Sequence, residues 1–228
     1  MSSPYNESPF NALPPVVVAL ALPIVAIELW LNAGAQGFIG GPEAVGWRLD
    51  AIRDYAFFGP VLELMIEANR WPATEVMRFV SYPFVHGSFT HMLMALVFLL
   101  ALGKMVGEVF SALGVLLVFF SSAIIGALAL TVLTDDPAPL VGAYPAVYGL
   151  IGAFTFILWV KLGQQGAPQI RAFYLIGFLL FIQLVFGLLF GAGQGWVAEV
   201  TGFVTGFGLS FLVSPGGWAR AVERLRAR

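Results

Sequence analysis

The chain contains no cysteine, which excludes disulfides and thiolate metal sites. It is also poor in charge. Only 11% of its 228 residues are Asp, Glu, Lys or Arg, against about 25% in a soluble domain. With 59% hydrophobic residues, lipid must be the solvent for much of its surface. The net charge of −2 argues against a nucleic-acid-binding surface. No Lys or Arg precedes the first apolar stretch, which is long and carries Glu28 and Trp30. It is therefore expected to be a retained span, although Ala33-Gly34-Ala35 resembles a leader cleavage site. Histidine is scarce: His86 and His91 are the only two.

Six stretches are apolar and long enough to span a bilayer: 13–33, 84–106, 110–133, 145–163, 171–191 and 196–214. The expectation is an all-α membrane protein, a bundle of six transmembrane helices. Residues 1–12 form a short N-terminus, 13–214 the membrane domain, and 215–228 a basic tail, expected to be a small helix holding anionic headgroups. The first connection, 34–83, holds six acids and four arginines among large apolar residues. It is too long for a plain turn and is expected to have structure of its own. The run Pro60 to Arg70 suits a short helix at the membrane interface. Lys104, Lys161, Arg171, Arg220, Arg224, Arg226 and Arg228 fall on one side of six spans; Arg48, Arg53, Arg70 and Arg78 fall on the other. The first group hugs the spans and the long loop is net acidic, so both termini are expected in the cytoplasm. No internal repeat is visible, and with few intramembrane charges a transporter is not favoured.

Three separated segments carry what chemistry there is. The first runs Ser81-Tyr82-Pro83-Phe84-Val85-His86-Gly87-Ser88-Phe89-Thr90-His91 and continues to Ala95. The second is Gly142-Ala143-Tyr144-Pro145-Ala146-Val147-Tyr148-Gly149-Leu150-Ile151-Gly152. The third is Glu199-Val200-Thr201-Gly202-Phe203-Val204-Thr205-Gly206. Gly202 and Gly206 are four apart and share a helix face. That permits close backbone approach, with Gly149 and Gly152 as the expected partners. The approach would bring positions 144 and 199 together.

In order and spacing these segments resemble the rhomboid family of intramembrane serine proteases, from about Arg78 to the last span. The resemblance implies a nucleophilic serine where this chain has Tyr144 and a glycine at Pro145. It implies a general-base histidine at Glu199 and an oxyanion-binding asparagine at Ala95. His91 matches the family's second histidine, His86 the first, Arg78 a loop arginine (with Met77 replacing a tryptophan), and Tyr148 a tyrosine lining the cleft. A phenol ionises near pH 10 and is a poor nucleophile at neutral pH. Pro145 has no N–H. Losing one oxyanion donor raises a barrier by about 3 kcal/mol.

The expected protein is thus a catalytically inactive rhomboid-like member, a pseudoprotease. It would bind the transmembrane helix of a client or complex partner, to stabilise, retain or assemble it, in a bacterial inner membrane. One alternative is an active intramembrane endopeptidase with a displaced nucleophile, for which Ser88 and Thr201 are the candidate hydroxyls. Another is a structural subunit of a membrane complex. Glu199, an ionisable group inside a span, is expected to hydrogen-bond Tyr144 or His91. Glu28 is expected to reach only the outer interface. Gln183 in the fifth span is a candidate interhelical hydrogen-bond site or part of a client path. A zinc site from His86, His91 and Glu199 is not expected, since histidines five apart share a helix face poorly and a fourth ligand is missing. No cofactor is expected.

Overall fold

A computed structural model describes residues 12–190 and 193–216. The proposed basic tail helix and all but the last residue of the N-terminal segment lie outside these residues. The described chain is almost wholly helical. α1 (Pro15–Ala35) is followed by three short helices of the long connection, α2 (Trp47–Tyr55), α3 (Gly59–Glu67) and α4 (Ala73–Ser81). Then come α5 (Phe89–Gly107), α6 (Ala112–Leu133), α7 (Tyr144–Gln164), α8 (Tyr174–Phe190) and α9 (Trp196–Val213). Helices α1, α5, α6, α7 and α9 are each long and apolar enough to cross a membrane. α8 has 17 residues, about 26 Å at 1.5 Å per residue, and a 3-10 turn, Gln169–Phe173, leads into it.

Two span boundaries differ from those expected, each for a local reason. The second span starts at Phe89 rather than 84. Pro83 sits in a 3-10 turn, Tyr82–Phe84, and Ser88 is the N-cap, its Oγ accepting from His91 N–H at 3.1 Å. The fifth starts at Tyr174 rather than 171, because Pro168 leads into the 3-10 turn rather than an α-helix.

The centre of the bundle is the trio α6, α7 and α9. They pack backbone to backbone because glycine keeps side chains out of the seams. A Cβ on Gly202 would land on the Pro145 carbonyl, and one on Gly206 would land on the Gly149 carbonyl. Gly152 lies against the backbone of Phe203 and Phe207. Gly149 turns its bare side to Ser122 and Val118 of α6 instead, so this glycine serves both neighbours. Toward the other end of the seam the contact is aromatic, with Phe156 and Trp159 of α7 packed edge-on against Phe207 and Phe211 of α9. α1 packs on α5, where Gly103 and Gly107 admit Val17 and Pro14. α8 leans mainly on the 3-10 turn before it.

The long connection is pinned to the bundle at three places. Phe57 and Leu140 exchange backbone hydrogen bonds of 3.1 and 2.9 Å, as a two-residue antiparallel bridge. The buried Tyr82 hydroxyl donates to Ala123 O in α6 at 2.8 Å, and Tyr82 O accepts from Gly142 N–H. The third tie is an ion pair from α1. Glu28 is 1% exposed, and Arg48 of α2 covers it with two nitrogens at 2.6 and 3.1 Å. A carboxylate in a span needs such a partner.

Candidate functional site

The site forms where the start of α5, the start of α7 and the first turns of α9 meet. The turn before α7 needs Gly142, whose φ is +86°. A Cβ there would also strike His91 at 2.8 Å and His86 at 3.1 Å. This bare position therefore lets both imidazoles close over the turn. Ala143 N–H donates to His86 Nε2 at 3.3 Å, which fixes the entry to α7. Tyr144 opens the helix with Pro145 behind it in the first turn, where a missing N–H costs no helical hydrogen bond.

Tyr144 lies flat on His91, ring centroids 5.0 Å apart and planes 13° from parallel. His86 stands edge-on to His91 at 5.3 Å. His91 Nδ1 accepts from Gly87 N–H at 3.3 Å. One turn along α5 from His91, Ala95 is fully buried and offers only a methyl. Of the positions the sequence singled out, 144 thus holds a phenol stacked on His91 and 95 holds a methyl.

Glu199 sits in the first turn of α9 and its partners differ from those expected. Its carboxylate accepts from Gln183 Nε2 of α8, and the Tyr148 hydroxyl of α7 lies beside it. The reason is helical geometry. Tyr148 is one turn along α7 from Tyr144, on the face turned to α9, whereas Tyr144 is committed to His91. Gly202 against Pro145 places the start of α9 beside the start of α7, which brings positions 144, 148 and 199 into one neighbourhood.

Two arginines of the long connection have defined partners. Arg78 is engaged within the long connection: it pairs with Glu75 at 2.6 Å, donates to the carbonyls of Arg53 and Ala56, and lies over the Phe58 ring. Arg48, which the sequence reading left among the loop charges, is the residue that secures the site from behind. Besides holding Glu28, it donates to His86 O at 2.7 Å. The one available signal was Glu28 itself, an acid inside an apolar run that had to find a cation.

His86 lies before α5, outside the spans, and is 1% exposed. Burial first, then the neighbouring His91, pushes its imidazole from the ordinary 6.5 down to about 3. The folded protein thus refuses a proton that the unfolded chain accepts. Stability attached to this group is whole above about pH 6.5 and drains as pH falls toward about 3. A His86→Gln variant is expected to lose that share of the acid slope. Thermal unfolding in detergent at several pH values checks it; identical slopes for the two proteins would refute the assignment.

A family model described as the Rhomboid domain matches residues 73–216, well over half of the chain. Rhomboid-like protease 3 of Toxoplasma gondii is similar to it, 29% identical over 138 residues, covering 59% of this chain and 51% of the relative. The chain therefore spans about half the length of that curated relative. The match takes in the histidine pair, the Gly142 turn and the glycine seam together, and on it the chain belongs to the rhomboid family.

Proposed function

We propose that this chain is a catalytically inert member of the family that binds the transmembrane helix of another membrane protein, to stabilise, retain or assemble it. The observation that carries the reading is the Tyr144–His91 stack. It puts a bulky phenol, a poor nucleophile at neutral pH, where the family resemblance implies a small alcohol. Ala95 adds no oxyanion donor, and Glu199 is held by Gln183 and Tyr148 instead of serving a nucleophile. The displaced-nucleophile alternative finds little support at Ser88, whose Oγ already caps α5.

Helix ends bearing Lys104 and Lys161, and the turn bearing Arg171, fit the basic side of a bacterial inner membrane, with both termini cytoplasmic. The long connection then faces out. A role as a structural subunit is a form of the same binding activity. Reconstitution with labelled single-span membrane proteins tests the proposal. Saturable energy transfer with intact client by mass spectrometry is the expected result. Absence of binding to every client, or appearance of fragments, would overturn it.

A further inference from the structure

The ion pairs among the described residues join Glu28 to Arg48, Asp50 and Asp54 to Arg53, Glu75 to Arg78 and Glu108 to Lys104. Glu199, inside a span, is in none of them. Its neighbours are neutral side chains: Gln183 from α8, and Tyr148 and Tyr144 from α7. The Gln183 amide is itself half-served. Its nitrogen is spent on Glu199, and its Oε1 is buried without a partner. A carboxylate with no cation and an amide oxygen with no donor thus belong to neighbouring residues inside the bundle. α8, which brings Gln183, leans mainly on the turn before it, and the Gln183–Glu199 contact is only half-buried. A helix that lodges on the Gln183 side of α8 therefore comes within reach of the carboxylate.

The group that satisfies both acceptors at once is a cation with several N–H donors, the ammonium of Lys or the guanidinium of Arg. A helix carrying one such residue at mid-span has the complementary deficit, because a lone cation in the bilayer core is costly until it finds an anion. We infer that Glu199 with Gln183 is the recognition point for a single basic residue near the middle of a client's transmembrane helix. This rests on the client-binding reading above, and it names which clients that reading selects.

The test uses the whole protein in phosphatidylcholine vesicles and three labelled Leu/Ala helices of about 20 residues. The helices carry Lys, Gln or Leu at the centre and are otherwise identical. Energy transfer should show the Lys helix binding about tenfold more tightly than the Leu helix, the size of effect that about 1.4 kcal/mol produces. That preference should vanish in Glu199→Gln and shrink in Gln183→Leu. Equal binding of Lys and Leu helices, a Lys preference that survives in Glu199→Gln, or a Gln helix as good as the Lys helix would overturn the inference while leaving client binding standing. If no helix binds, the client-binding reading falls with it.

Discussion

Replacing Arg48 by methionine is expected to lower the stability of the protein by about 3 kcal/mol or more. The substitution leaves Glu28, 1% exposed in the first span, without the cation that covers it at 2.6 Å. It also frees His86 O, which Arg48 holds at 2.7 Å. His86 in turn accepts from Ala143 N–H, so the loss is expected to loosen the entry to α7 and the Tyr144–His91 stack. Converting Glu28 to methionine as well removes the stranded charge and should restore part of the stability, since a buried pair exchanged for apolar side chains is often neutral. Thermal unfolding in detergent followed by tryptophan fluorescence is the measurement. A single variant as stable as the parent would show that the pair does not tie the long connection to the bundle.

A Cβ added at Gly206 is the second large effect. The carbon would collide with the Gly149 carbonyl, and a backbone in the middle of a packed helix cannot step aside. The helices must part instead, opening the α7–α9 seam along its length. A cost of about 3 kcal/mol is expected for Gly206→Ala, compounded by lost contact among the aromatic side chains further along. Gly208 is the internal control. It lies two residues on in the same helix, and a Cβ there meets nothing within 4 Å. Gly208→Ala should be neutral or slightly stabilising, since alanine favours helix over glycine by about 1 kcal/mol. Equal effects of the two substitutions would contradict the seam as described.

Much of the architecture was legible from the chain alone because membrane spans announce themselves by length and apolarity. The glycine spacing at 202 and 206 pointed to a close seam for the same elementary reason, and α9 does meet α7 there. The sequence was weaker where a side chain had to choose among partners. Glu199 was expected to reach Tyr144 or His91. The rings of those two residues take each other first, which leaves the carboxylate to Gln183 and Tyr148. Spacing fixes which helix faces meet but not the rotamers within them. Arg78 and Arg48 show a second limit. Both are loop arginines in an acidic stretch, and only the folding of the long connection decides that one staples the loop to itself and the other reaches Glu28 and His86. The start of α5 was misplaced because apolarity continues through Tyr82 to Val85, whereas the turn is set by Pro83 and the cap by Ser88.

The central claim is that no hydroxyl in this cleft attacks a peptide bond. The purified protein in liposomes, exposed to a serine-directed fluorophosphonate probe and to permissive transmembrane substrates, tests it most directly. The account predicts neither labelling nor cleavage, and the same blank result for Tyr144→Phe and Ser88→Ala. Labelling or proteolysis by the parent chain that disappears in either variant would contradict it.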